Sequence, residues 1–371
     1  MSFADKFVQT PRREKSGETG YERYDYQASW GLALIFESHN TLKDYAIAFE
    51  FHDDIVLLNN SSLPTTACFY QVKTKITGHW TLTDLSRRKK AKDGTSWLPS
   101  FIGKMFDNYN LFPEETEKLS FVSNLPCKFI DASATVCCFA NCAPRDSSAF
   151  LKTLQAEYPT ATESTAKLMH FVRADLSLHD ASTHLKGMMQ DFVTSQVGTT
   201  SYSPDTLYKT IIEECRTRSK YTGTISSFSD LIKHKAITKN QVEGWLSQIK
   251  LNQAAPDWSD ISGELTYGAM QKSELARQWK IYRTLALGAG NEAINRVRDR
   301  VRSELVSLQG SPLQLGALTE DVFGKVSSFA RTTISGISAS RLKVMIIYEV
   351  MTYDPPRDVQ KVNQKPSDSK S

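Results

Sequence analysis

The sequence predicts an α/β N-terminal domain, built as a central mixed sheet flanked by helices, followed by a mostly α-helical C-terminal region. Three observations lead there. Up to about residue 142, short runs of strand character alternate with helical periodicity. From about residue 145 helical spacing takes over. Between 252 and 263, "NQAAPDWSDISG" clusters Pro, Gly and small polar residues as a boundary does.

Residues 1–20 are polar and Gly-containing, which predicts a flexible arm. "YERYDYQASWGLALIFES" (21–38) follows as a helix, with Tyr26, Trp30, Leu34 and Ile35 on one face. "DYAIAFEFHDDIVLL" (44–58) reads as two short strands or one bent hairpin, and "TTACFYQVKTKI" (65–76) as the next strand. "LTDLSRRKKAKDG" (82–94) starts a short helix and runs into a basic loop. "WLPSFIGKMFDNYNLF" (97–112) becomes helical after its Pro, and "KLSFVSNL" (118–125) and "ATVCCFANC" (134–142) read as strands, the second buried. This α, β, β, β, α, β, β order fits a domain around one mixed sheet. The segment 21–145 is then the domain core and 146–251 its helical extension. Residues 264–353 form a separate helical domain, and the Pro-containing polar tail 354–371 is expected to be disordered. In the last domain Ile294, Val297, Val301, Leu305 and Leu308 step by 3, 4, 4 and 3, after Asn291 as N-cap and Glu292 in the first turn. Such a seam serves an intramolecular bundle or a partner interface.

Bulk properties narrow the function without choosing it. The chain has 371 residues and a net charge of +4, whose sign permits a nucleic-acid partner and whose size does not demand one. No signal peptide and no membrane-length apolar run is read, and the six cysteines lack zinc-ligand spacing. A cytoplasmic protein with reduced core thiols is expected. No G-x-x-x-x-G-K-[ST] loop, G-x-S-x-G or H-E-x-x-H occurs, and "GAGNEA" (288–293) follows a helix rather than a strand.

The informative stretch is "FYQVKTK" (69–75). Alternation along a strand puts Gln71, Lys73 and Lys75 on one face of an otherwise apolar run. Upstream, "FEFHDD" ends a strand in Asp53 and Asp54. Phosphodiester hydrolysis needs a divalent cation that acidifies water and neutralises charge on the phosphate. A hard cation such as Mg²⁺, or Mn²⁺ in its place, wants oxygen ligands and keeps several waters. Asp54 offers a carboxylate, Gln71 a carbonyl oxygen, and Lys73 a cation that positions water or stabilises developing charge. An acid at a strand end, then an acidic or amide residue two before a lysine, is the pattern of the PD-(D/E)XK nucleases. The alternative for the same spacing is a surface strand with solvated lysines beside an acidic turn.

Wider context favours the first. The series "YDYQ", "FEFHDDI", "FYQVKTK", "WTLTDL", "GKMFDNYNLF" and "KLSFVSN" resembles the double-stranded-DNA endonuclease domain of bacterial anti-phage effectors, over residues 15–130 and more loosely at "LSLHD" and "LYKTIIEE". In CBASS effectors that domain is fused to a SAVED sensor, and a related form is partnered with a HerA-type hexameric ATPase. The resemblance implies a restriction-endonuclease-like fold, double-stranded DNA as substrate, and Asp54, Gln71 and Lys73 as the catalytic set. Asp54 and Gln71 would be the metal ligands. It does not separate Asp53 from Asp54, and Gln71 stands where many relatives carry Glu. Glu50 and His52 share the strand parity of Asp54, so they either border the metal or take salt-bridged or surface positions. Gln27 matches the "YQ" of the resembled family and either orients a ligand or packs. Arg87, Arg88, Lys89, Lys90 and Lys92 either contact DNA phosphates or form a solvated loop. His79 and Trp80, beside them, stack or pack. The resemblance further implies restraint of the nuclease until assembly, with a HerA-type ATPase as candidate partner. The helical C-terminal domain suits homo-oligomerisation or docking. The remaining alternative is a non-catalytic DNA-binding or scaffold subunit. A cyclic-oligonucleotide receptor fits poorly, because a SAVED-type sensor is larger and mixed α/β.

Overall fold

The structure, a computed structural model, describes residues 2–11, 21–130, 134–198, 202–286, 292–308, 310 and 312–352. In chain order the elements are helices α1 (Phe3–Gln9) and α2 (Tyr21–Thr41), strands β1 (Ala46–Phe51), β2 (Asp53–Leu58) and β3 (Ala67–Val72), and α3 (Leu82–Ser86). The short strands β4 (Lys89–Lys90) and β5 (Trp97–Leu98) precede α4 (Phe101–Leu111), β6 (Thr116–Ser123) and β7 (Val136–Cys138). Then come α5 (Pro144–Glu157), α6 (Glu163–Ala166), β8 (Met169–Arg173), α7 (Ala181–Val197), α8 (Pro204–Lys220), α9 (Phe228–Lys235) and β9 (Ala236–Thr238). Six helices end the described chain: α10 (Lys239–Ala254), α11 (Trp258–Ser262), α12 (Ala269–Leu285), α13 (Glu292–Ser307), α14 (Leu315–Thr333) and α15 (Ala339–Thr352).

The α/β architecture and the helical C-terminal region are as predicted. Seven strands form one mixed sheet in the order β7-β8-β6-β3-β2-β1-β9. The centre is parallel (β3 with β6, β6 with β8), and antiparallel pairs flank it on both sides. Central strands must be apolar on both faces, and every residue of β3 is buried. One face packs on α4, where Phe69 stacks on Phe112. The other takes α2, where Trp30 meets Tyr70. β1 and β2 join through the single residue His52, and Phe51 pairs with Asp53.

Several expectations need correction. Residues 3–9 are no arm: Ser2 and Asp5 form a capping box, and Phe3 and Phe7 enter the core. Residues 12–20 lie outside the described residues, as do Asn291 and the tail beyond 352. The sheet does not stop at 145. It recruits β8 and β9 from the segment read as a helical extension, because strands of five and three residues carry too little periodicity to be told from helix. "ATVCCFANC" gives only a three-residue edge strand, half-buried at best, with Val136 about half exposed. The chain divides into two compact units, Met1–Ser195 with Tyr208–Glu243, and Gln196–Leu207 with Gly244–Ser371. The division thus falls inside α10 rather than at 252–263.

The second unit has its own helical core. Ile294, Val297 and Val301 are buried in it, and Leu305 and Leu308 pack against it half-buried. The heptad-like seam therefore serves an intramolecular bundle. Within that core the Glu349 carboxylate is fully buried and accepts from Arg298 Nε at 2.7 Å and Arg302 Nε at 2.6 Å. Among the described residues no helix is long and apolar enough to cross a membrane.

Gly31 sets how closely α2 approaches the β1–β2 hairpin. A Cβ there would fall inside contact distance of the Phe49 ring and 3.0 Å from Ile55 Cδ1, both side chains being fully buried. Gly31→Ala is expected to destabilise the protein by about 1–3 kcal/mol through overpacking. Urea unfolding of the two proteins measures it.

Candidate active site

The site grows from the point where the hairpin and β3 separate. Ile55↔Tyr70 is the last pair between β2 and β3. One step further, Asp54 would face Gln71, but the ladder has ended and side chains replace main-chain bonds. The Val72 amide donates to Asp54 Oδ2 at 2.7 Å, and Lys73 Nζ donates to the same oxygen at 2.8 Å. The Lys73 amide donates to the Val122 carbonyl at 2.9 Å, so β6 fixes the backbone that carries the ammonium. Burial opposes the charge on Lys73, but Asp54, then Asp53 and Glu50, outweigh it and hold its pKa above the ordinary value. Lys73 is a firmly charged donor here.

Gln71 supplies the oddest group. Its side chain is 6% exposed, and its Oε1 is buried with no donor among the described residues. Leaving a buried carbonyl unpaired costs about 1–3 kcal/mol. A cation is one partner that would satisfy it.

The two adjacent carboxylates separate cleanly. Asp53 is buried, accepts from Asn108 Nδ2 of α4 at 2.7 Å, and uses its other oxygen for the Asp54 amide at 2.9 Å. Asp53 braces the turn, while Asp54 holds Lys73. His52 is likewise structural: its Nε2 lies 2.6 Å from the Phe7 carbonyl, so it donates, and its ring packs against Phe7, Phe51 and Phe112. The parity that placed His52 beside Asp54 fails because both Glu50 (φ 50°) and His52 (φ 67°) adopt left-handed backbone. Such conformations cost non-glycine residues about 1–3 kcal/mol and recur at functional sites. α1 holds this turn in place through Phe7.

Glu50 does belong with Asp54. It is half-buried, and burial first, then the Asp54 charge, raise its carboxyl from 4.5 to about 8, against the opposing pull of Lys73 and Lys235. Lys235, on α9, escaped the sequence reading. It is 2% exposed, and nothing in "DLIKHKAI" marks which lysine turns inward.

Lys75 leaves the group. β3 ends at Val72, so alternation stops there, and Lys75 Nζ instead reaches Asp84 at 3.0 Å and lies 4.2 Å from the Trp80 ring centroid. Trp80 is buried and donates to Ser123 Oγ at 2.7 Å, so it packs, whereas His79 is exposed. Gln27 is buried on α2, one turn before Gly31, and no hydrogen bond joins it to Asp54, Gln71 or Lys73 among the described residues. The basic run is not a plain loop. Arg87 pairs with Asp84 at 3.8 Å, Arg88 with Glu157 at 3.7 Å, and Lys89 and Lys90 form β4 of a two-stranded ribbon. Lys92 is exposed in its turn.

A buried, unpartnered carbonyl on the strand next to the one that carries Asp54 is an oxygen ligand of the kind a hard cation takes. Among the described residues no three His, Cys, Asp or Glu side chains are arranged to hold a metal by themselves. A cation would therefore draw on Asp54 and the Gln71 carbonyl, with water and main chain completing its shell. The cysteines offer no competing site. All are free thiols, and burial pushes Cys68 and Cys127 up to about 12.

The raised Glu50 pKa has a stability consequence. Between pH 4.5 and about 8 the folded protein holds a proton that the unfolded chain lacks, so stability falls as pH rises through that window. In chelator-treated protein, Glu50→Gln is expected to gain about 1–3 kcal/mol over wild type at pH 8 and almost nothing at pH 5. Denaturant unfolding at the two pH values measures it.

A segment of 119 residues, 32% of this chain, is 30% identical to the Lamassu protein LmuA of Bacillus cereus (strain VD014). The match spans 30% of the length of that relative. Residues 15–219, more than half of the chain, match the Cap4 dsDNA endonuclease domain, covering α2, the β1–β2 hairpin, β3 and the sheet through β8. The chain belongs to the Cap4 dsDNA endonuclease domain family.

Proposed function

We propose that this chain is a metal-dependent endonuclease of the PD-(D/E)XK type, hydrolysing phosphodiester bonds of double-stranded DNA in bacterial anti-phage defence. The observation that carries the reading is the buried, unpartnered Gln71 Oε1 next to the Asp54–Lys73 pair. Mg²⁺ or Mn²⁺, when bound, supplies an acidified water and neutralises charge on phosphate oxygens. Asp54 and Gln71 are the residues that would hold it, with Glu50 as an accessory carboxylate. Lys73 is charged, so it acts as a donor rather than a base. One of its three N–H groups is engaged by Asp54, leaving two for a phosphate oxygen or the attacking water. Asp53 and His52 keep the turn that presents Asp54.

The basic ribbon residues Arg87, Arg88, Lys89, Lys90 and Lys92 are the proposed phosphate contacts. A homo-oligomer and a HerA-type hexameric ATPase are the proposed partners in the cytoplasm, and assembly with them would license a cleavage activity otherwise harmful to the host. The sequence resemblance supports this part. A second reading, a non-catalytic DNA-binding or scaffold subunit, is favoured by the neutral Gln71 and the lack of three clustered acidic or imidazole ligands among the described residues.

Plasmid cleavage with Mg²⁺ decides between the readings. Lys73→Ala is expected to lower cleavage at least about 100-fold while circular dichroism stays native, and chelation to abolish it. A HerA-type partner should raise wild-type activity only. Equal behaviour of both proteins under all conditions, partner included, would establish the scaffold reading.

A further inference from the structure

The β4–β5 ribbon is unlike the rest of the fold. Its two strands form a sheet of their own, apart from the seven-stranded sheet. All four of its strand residues are exposed, on both faces. Two of them are large and apolar: Trp97 is 51% exposed and Leu98 46%. A two-stranded ribbon without a core behind it is marginal. This one is nevertheless built with care. Lys89 pairs with Leu98 and Lys90 with Trp97. Arg88 donates to the carbonyls of Trp97 and Leu98 at 3.2 and 3.4 Å, and its guanidinium stands 3.7 Å from Glu157. Glu157 in turn accepts from the amide and hydroxyl of Ser100, the N-cap of α4. The turn is closed by Asp93, which accepts from the Thr95 and Ser96 amides and the Ser96 hydroxyl, and by Gly94 at φ 71°.

Charge and apolar surface are interleaved on this scaffold. Arg88 and Lys90 lie 6.0 and 5.7 Å from the Trp97 ring centroid, and Lys89 projects from the other face beside Leu98. Arg87 and Lys92 extend the positive charge at the two ends, and the one acidic residue between 87 and 98, Asp93, is engaged by the turn. The DNA major groove, about 12 Å wide, admits a two-stranded β-ribbon. The minor groove is about half as wide.

We propose that the β4–β5 ribbon enters the major groove of double-stranded DNA, with its Trp97 face against the base edges and the flanking cations on the two phosphate rails. This rests on the nuclease reading for the identity of the polymer, but it is tested without cleavage. The full-length protein is titrated with a duplex in Ca²⁺, in place of Mg²⁺, across a salt series. Trp97→Ala is expected to bind about tenfold more weakly with an unchanged salt slope, as loss of an apolar contact requires, and Trp97→Phe to recover most of that loss. Lys89→Ala/Lys90→Ala is expected to reduce the slope of log K against log salt by about two. Duplex carrying glucosylated cytosines, which fill the major groove, should bind poorly, whereas netropsin in the minor groove should not compete. Equal affinity of Trp97→Ala and wild type overturns the proposal, as does competition by netropsin with indifference to glucosylation. Tight, Trp97-dependent binding in a protein that never cleaves would sink the nuclease reading and leave the ribbon proposal standing.

Discussion

One oxygen atom, Asp54 Oδ2, organises the functional end of the sheet. It takes the Val72 amide that the interrupted ladder leaves without a partner, and it takes the Lys73 ammonium. A single acceptor thereby closes the strand end and fixes a charge. A carboxylate serves this better than a neutral acceptor, because hydrogen bonds to a charged group are shorter and stronger. Its neighbours respond: burial first, then the Asp54 charge, raise the Glu50 carboxyl, Asp54 leads the acidic groups that hold Lys73 above its ordinary value, and Gln71 Oε1 stays buried with no donor among the described residues.

Holding Asp54 there requires a turn the chain would not adopt by itself. Glu50 and His52 both lie in left-handed backbone, and neither is a glycine. The strain is met from outside the hairpin. α1 contributes the Phe7 carbonyl and ring, and α4 contributes Asn108 to Asp53. Both supports reach the hairpin from distant sequence. Strained backbone, an unpaired buried carbonyl and two neighbouring carboxylates at one place are local costs of the kind that cluster at functional sites.

These devices explain what could be read from sequence. The alternation of apolar residues in β2 and β3 was enough to place Asp54 and Lys73, which the structure pairs, at the end of the strand that carries Gln71, since each lies within one residue of a regular strand. The same rule failed for His52 and Lys75, which sit just where regular backbone stops. Asp53 could not be told from Asp54 by spacing, because the choice depends on Asn108, 55 residues away. β8 and β9 were missed as too short to show a period, and Lys235 because one buried lysine in a basic helix end leaves no local mark. The heptad-like seam of α13 was legible as a helix face, and the core of its own unit proved to be what covers it.

In the proposed metal site Asp54, and not its neighbour Asp53, holds a divalent cation together with Gln71. Mn²⁺ titration followed by electron paramagnetic resonance, on DNA-free protein, tests it most directly. The expected result is a bound Mn²⁺ signal in wild type that is lost in Asp54→Asn and retained in Asp53→Asn once both variants are shown to be folded. Equal Mn²⁺ binding by Asp54→Asn and wild type, or none by wild type at millimolar Mn²⁺, would contradict it.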